Sequence, residues 1–122
     1  MNDALATRDS VLGGAVARRR FTTVEIADYG AFRLRSLTGR ELADYAAAAA
    51  RKDGERTTTA RIITMCVCDA DGNPVFHASD IGQIMDMDAR FLLALSAECV
   101  RHAGIADAAV SDAEKNSEAT GG

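Results

Sequence analysis

From Phe21 onward the chain takes up a regular alternation of apolar and polar residues, and this pattern constrains the fold more than any other feature. Between residues 21 and 36 apolar and polar residues alternate, as in β-strands with one buried face. Asp28 and Gly30 interrupt the alternation with residue types that favour tight turns. The sequence therefore predicts a β-hairpin over about 21–36. Its apolar face consists of Val24, Ile26, Phe32 and Leu34.

A helix start follows the predicted hairpin. The hydroxyl of Thr38 can accept a hydrogen bond from the backbone N–H of Glu41, while the Glu41 carboxylate accepts one from the N–H of Thr38. This reciprocal pair is a capping box, and it predicts a helix over about 39–52. Gly54 is placed to take the left-handed position that ends many helices.

Further apolar residues recur at helical spacing in the second half of the chain. They predict helices over about 56–68, 80–86 and 88–103. Residues 57–67 stay open between helix and strand, because the β-branched pair Ile62-Ile63 favours a strand while Ala60, Ile63 and Cys66 recur at helical spacing. Only 5% of the residues are aromatic and there is no Trp, which suits closely packed helices. The predicted fold is α+β and mostly helical, with the hairpin packed on three to four helices.

The two ends of the chain lack a sustained apolar period. We expect a flexible arm over 1–20, a single α+β domain over 21–105 and a disordered tail over 106–122. The tail is composed mainly of small and polar residues, which bury too little apolar surface to offset the entropy lost on ordering.

The charge of the chain restricts its partners. A formal net charge of -4 argues against a dedicated nucleic-acid binder, because neutralising phosphates requires a basic face. The basic run Arg18–Arg20 is interpreted as a solvated flank, and a DNA-associated regulator that also uses Arg33 and Arg35 is a minor alternative. No window is apolar enough for a membrane span, and Asp3 and Asp9 are unlike a secretory signal, so we expect a cytosolic protein without a membrane partner.

One loop has oxygen ligands at spacings that calcium sites use. Asp69, Asp71, Asn73 and Asp80 occupy the first, third, fifth and twelfth positions of such a loop. Pro74 stands where the required glycine should be, so an ordinary turn is the preferred interpretation and these four residues are weak metal candidates only. A metal-responsive protein-binding module built on loop 69–80 is the alternative function.

The cysteines and histidines do not form a recognisable site. Cys66 and Cys68 are closer together than the usual zinc-binding cysteine pair, and no motif for nucleophilic catalysis occurs. We therefore predict no enzyme activity, no catalytic residue and no cofactor.

Three methionines, a leucine and an isoleucine are candidates for binding a partner helix. They are Met65, Ile81, Met85, Met87 and Leu93. Thioethers adapt to several shapes, so these residues would suit a soft groove. Methionine more often fills irregular gaps in a core, and the sequence alone favours that role.

The order of these features resembles the tail assembly chaperones of long-tailed, siphovirus-type bacteriophages or prophages. The resemblance rests on the hairpin ending in Phe32-Arg33-Leu34-Arg35, on the helix start at Leu37–Glu41, on the segment Asp69–Phe76 and on Lys115-Asn116-Ser117 in the tail. No binding residue of that family can be transferred to a numbered position in this chain.

The resemblance implies a non-enzymatic assembly factor. It implies binding to the tape-measure protein during tail tube assembly in the cytoplasm of the bacterial host, and absence from the mature virion. It also implies a longer form of the same protein made by frameshifting, for which the codons of Glu114-Lys115-Asn116 are a candidate slippage site. Self-association into a homo-oligomer is left open.

Overall fold

A computed structural model describes residues 5–14 and 18–103 of the chain. The α-helices are α1 Arg8–Gly13, α2 Gly39–Ala50, α3 Thr58–Cys66, α4 Ile81–Met85 and α5 Ala89–Ala103. The β-strands are β1 Phe21–Ile26, β2 Gly30–Arg35 and β3 Val67–Cys68, and short 3-10 helices cover Gly54–Thr57 and Ala78–Asp80. The predicted α+β, mostly helical fold is confirmed.

Strands β1 and β2 form the predicted hairpin. They pair antiparallel with Val24 opposite Phe32 and Thr22 opposite Leu34, so the predicted apolar side chains share one face of the sheet. In the turn, Asp28 has φ 73 and Gly30 has φ 106, backbone conformations that Asp tolerates and Gly adopts freely. Leu34 is completely buried, so this face of the hairpin lies against the core.

Helix α2 begins with the predicted capping box. The N–H of Glu41 donates to the Thr38 hydroxyl at 3.2 Å, and the N–H of Thr38 donates to the Glu41 carboxylate at 2.9 Å. The prediction that Gly54 adopts the left-handed conformation is wrong, because Asp53 does so with φ 64. Gly54 is needed for another reason: a Cβ there would collide with the carbonyl oxygen of Ala48.

The segment 57–67, for which the sequence did not decide between helix and strand, is mostly helical, and a short strand follows the helix. α3 ends at Cys66, two residues earlier than predicted, because Val67 and Cys68 leave the helix and pair antiparallel with Leu34 and Arg33. This pairing gives the free edge of β2 a hydrogen-bonding partner and makes a three-stranded sheet in the order β1-β2-β3.

Helix α5 covers the apolar face of the sheet. α5 packs against α3 and contacts β1 and β2, and its Leu92, Leu95 and Cys99 are buried. Asp88 caps α5, since its Oδ1 accepts the N–H of Arg90 at 2.8 Å. The core cluster is built mainly from Leu34, Ile62, Ile63, Ile84 and Leu95, with Phe32 and Phe91 packed at its edge.

The predicted arm and tail are described only in part. Residues 8–13 form α1, which begins with a capping box between Thr7 and Ser10 and contains no buried residue. The backbone of Arg20 exchanges hydrogen bonds with Ser36 at the end of β2. The predicted tail, 106–122, lies outside the described residues, so the expected disorder there remains a prediction.

Candidate partner-binding groove

The five candidate partner-binding residues do not all lie together. Met65 lines a cavity of about 310 Å³ beside Arg35 and His77, whereas Met87 lines a different groove with no lining residue in common. Met85 and Leu93 are exposed, at 38% and 64%, but line neither of these two cavities. Ile81 packs against the core. Met87 is therefore a candidate that lies in the lining of an apolar concave surface.

The concave surface around Met87 is formed by three aromatic rings. It has a volume of about 420 Å³ and is lined by Tyr29, Phe32, Met87, Asp88 and Phe91, which we name the aromatic groove. The ring centroids of Tyr29 and Phe91 are 4.6 Å apart, and those of Phe32 and Phe91 are 5.7 Å apart. Both distances fall in the range of favourable aromatic pairs. Tyr29 is still 48% exposed and Met87 41%, so the groove opens to solvent.

The aromatic groove combines elements that are distant in sequence. Tyr29 comes from the turn between β1 and β2, Phe32 from β2, and Phe91 from the first turn of α5. Neither Tyr29 nor Phe91 is among the residues predicted from the sequence to bind a partner. Neither residue carried a local motif, and only the packing of α5 against the hairpin brings them together.

Acidic side chains border the aromatic groove. Asp28 and Asp88 line a second cavity of about 320 Å³, which shares Tyr29 and Asp88 with the groove and also contacts Arg90. Within the described ranges, neither Asp28 nor Asp88 has a cationic side chain at ion-pair distance. This border therefore has two carboxylates that are not neutralised by an ion pair, with one arginine nearby.

The cavity beside Met65 is more polar. Its lining includes Arg35, Asp44 and Arg61, and the Nε atom of Arg61 is buried without a hydrogen-bond partner among the described residues. Buried polar groups of this kind are commonly satisfied by water. The cavity is therefore a less favourable site for an apolar side chain than the groove around Met87.

Two arginines hold the start of α2 against the sheet. Arg19 donates to both carboxylate oxygens of Glu41, at 2.7 and 3.1 Å, and also to the carbonyl of Ser36 at 2.8 Å. Arg35 lies 3.4 Å from the same carboxylate. Burial alone would raise the pKa of Glu41, but the hydrogen bonds from Arg19 and Thr38 and the two positive charges outweigh it, so the pKa is lowered.

These contacts correct the interpretation of the basic run. Arg19 is not part of a solvated flank, because its side chain is only 23% exposed and is paired with Glu41. Arg33 donates to the carbonyls of Asp69 and Ala70 and lies 4.1 Å from the centre of the Phe21 ring. These arginines are used within the fold, which leaves little of the basic surface that the DNA alternative requires.

The calcium-like loop is stabilised by its own hydrogen bonds. Oδ1 of Asp69 accepts the N–H groups of Asp71 and Asn73, at 2.9 and 3.0 Å, as in an ordinary Asx turn. The Asp80 carboxylate instead accepts the N–H of His77 at 2.8 Å. Over residues 5–14 and 18–103, no group of three or more His, Cys, Asp or Glu side chains is placed to hold a metal ion.

The cysteines are buried and unpaired. Cys66 Sγ lies 4.0 Å from the carbonyl oxygen of Cys99, and Cys66, Cys68 and Cys99 are all free thiols. The contact with Cys66 and then burial raise the pKa of Cys99, and burial raises the pKa of Cys68. Protonated thiols are poor nucleophiles and poor metal ligands, so this arrangement does not favour either chemistry.

The described helices give no sign of a membrane span. None of those within residues 5–14 and 18–103 combines the length and the apolar character needed to cross a bilayer.

Comparison with known proteins shows a fold like that of a phage tail assembly chaperone. The chain is similar to the solved structure of the tail assembly chaperone of bacteriophage HK97, with a TM-score of 0.57 and 16% sequence identity. The match covers 77% of this chain and 94% of the HK97 chain. No protein-family model matches the sequence, and no curated protein matches it. The predicted resemblance is thus confirmed at the level of the fold.

Proposed function

We propose that this protein is a non-enzymatic phage tail assembly chaperone that binds the tape-measure protein while the tail tube is assembled. The observation that carries the proposal is the fold similarity to the HK97 chaperone, which extends over 94% of that chain. The same family was indicated independently by the order of motifs in the sequence.

The surface of the described residues is compatible with this role. A chaperone for a long, apolar, helical protein needs an accessible apolar surface on a body that is itself soluble. The aromatic groove provides such a surface, and the formal net charge of -4 supports solubility.

Co-expression with the tape-measure protein tests the proposal. The partner is a fragment of the tape-measure protein encoded in the same phage or prophage genome, expressed alone and together with this chain. We expect the fragment to be insoluble alone, and soluble and co-eluting in size-exclusion chromatography when the chaperone is present. A soluble coiled-coil protein of similar length serves as the control and should not co-elute. A fragment that stays insoluble and unbound would contradict the proposal.

We further propose the remaining features implied by the family. The protein acts in the cytoplasm of the bacterial host, is absent from the finished virion and is accompanied by a longer frameshifted form. Mass spectrometry of an infected or induced culture would detect peptides of this chain in the lysate and in a longer band, but not in purified particles. Peptides of this chain in purified particles would contradict the proposed location. Light scattering would establish whether the protein forms a homo-oligomer.

A further inference from the structure

We infer that the aromatic groove binds a helical segment of the partner in which a large apolar side chain lies beside a lysine or arginine. The inference rests on the proposed function, since it names the chemistry of the segment that the chaperone would recognise. It goes further by assigning the contact to Tyr29, Phe32, Met87, Asp88 and Phe91, of which only Met87 was a candidate from the sequence.

The groove is shaped for a side chain rather than for a broad interface. Its volume of about 420 Å³ lies near the lower end of the range for ligand pockets. Phe32 and Phe91 pack against the core cluster, so the floor of the groove is held by β2 and α5. Met87 at the rim is exposed and can adapt to different apolar side chains. An anchor residue from an amphipathic helix is the kind of group that such a groove accepts.

The border of the groove selects the charge of its occupant. Aromatic faces attract cations, and the exposed Asp28 and Asp88 have no ion-pair partner among the described residues. Only the Oδ1 atom of Asp88 is used to cap α5, at 2.8 Å from the N–H of Arg90. Arg90 lines the same border, so two carboxylates lie beside one guanidinium there. A lysine or arginine next to the anchor would therefore meet aromatic faces and the remaining negative charge.

The same charge argument disfavours two occupants from this chain: a symmetric contact between two copies, and residues 106–122. A symmetric contact between two copies would bring identical acidic borders together, which is repulsive. Residues 106–122 contain four acidic residues and a single lysine, so they would also meet like charges. A cationic, apolar segment of another protein is the occupant that complements this surface.

Two methionines provide a matched pair of variants. Met85 and Met87 are similarly exposed, at 38% and 41%, but only Met87 lines the groove. With the co-expressed tape-measure fragment, we expect Met87→Glu to weaken binding about tenfold or more, and Met85→Glu to change it by less than about twofold. Thermal melting of each variant checks that it is folded. Equal effects of the two substitutions would overturn the inference. The proposed function would stand in that case, because it requires only that the wild-type chain binds the fragment.

Synthetic peptides test the charge preference without the natural partner. Two amphipathic peptides of about 18 residues share a leucine face and carry either lysines or glutamates beside it. In NMR titrations of the wild-type chain, we expect the lysine peptide to shift the ring signals of Tyr29, Phe32 and Phe91, and the glutamate peptide to bind about tenfold more weakly.

A charge-removing variant completes the peptide test. Asp88→Asn keeps an oxygen to cap α5 while removing the charge, so it should reduce the preference for the lysine peptide. Lysine-peptide binding that leaves the groove signals unchanged, no binding at all, or equal binding of both peptides would overturn the inference, whatever the fragment experiment shows.

Discussion

Replacing Glu41 with alanine removes one carboxylate that connects three parts of the fold. Its oxygens accept two hydrogen bonds from Arg19, at 2.7 and 3.1 Å, and one from the N–H of Thr38 at 2.9 Å, while Arg35 lies at 3.4 Å. A hydrogen bond to a charged group contributes about 1.5–3 kcal/mol, but this side chain is 25% exposed and solvent screens part of that value. We expect Glu41→Ala to lower the free energy of unfolding by about 2–4 kcal/mol.

Urea unfolding followed by circular dichroism measures this change, and Glu41→Gln separates its parts. Glutamine can still accept from Thr38 but lacks the charge, so it should cost about 1–2 kcal/mol. The ion pair between Arg56 and Asp53 is a matched control, because both side chains are mostly exposed, at 79% and 67%. Arg56→Ala should change stability by less than about 0.5 kcal/mol. A Glu41→Ala protein as stable as Arg56→Ala would refute the reasoning.

The acid dependence of stability gives a second test of the same group. The pKa of Glu41 is lowered below its ordinary value of 4.5 in the folded protein, so the folded state favours the charged carboxylate. Its contribution is therefore fully present above the unfolded pKa and is lost as the pH falls through the folded pKa. Below about pH 4.5 the wild type should lose stability more steeply than Glu41→Gln. Parallel curves for the two proteins would contradict this assignment.

Three further predictions follow from local contacts. Gly54→Ala should cost about 2 kcal/mol or more because its Cβ meets the backbone of α2, whereas Gly82→Ala in open space within α4 should stabilise the protein by about 0.5–1 kcal/mol; equal urea midpoints would contradict both. The buried thiols, Cys99 above all, should react with a thiol reagent only after unfolding, and rapid labelling of the native protein would contradict their burial. Calcium or a chelator should leave the melting temperature unchanged, while a clear rise with calcium would restore loop 69–80 as a metal site.

The parts of the fold that local chemistry determines were predictable. The alternation around Val24 and Phe32 fixed the apolar face of the hairpin, and Thr38 with Glu41 fixed the start of α2. Strand β3 was missed because two residues are too few to show a period, and its conformation depends on pairing with β2.

The candidate site was less predictable for a related reason. Met87 stood out by its residue type, but the groove exists only because Tyr29 and Phe91 meet across the hairpin and α5. The pairing of Arg19 with Glu41 likewise spans a sequence separation that no spacing rule covers. Tertiary packing, rather than any local pattern, supplied both features.

Deletion of the gene from the phage or prophage genome that is proposed to carry it tests the proposed function most directly. Particles are examined by electron microscopy, and the tape-measure protein is followed in the soluble and insoluble fractions of the lysate. The proposed function predicts capsids without tails and an insoluble tape-measure protein, both restored by supplying this chain from a plasmid. Tails of normal length and number in the absence of the gene would contradict it.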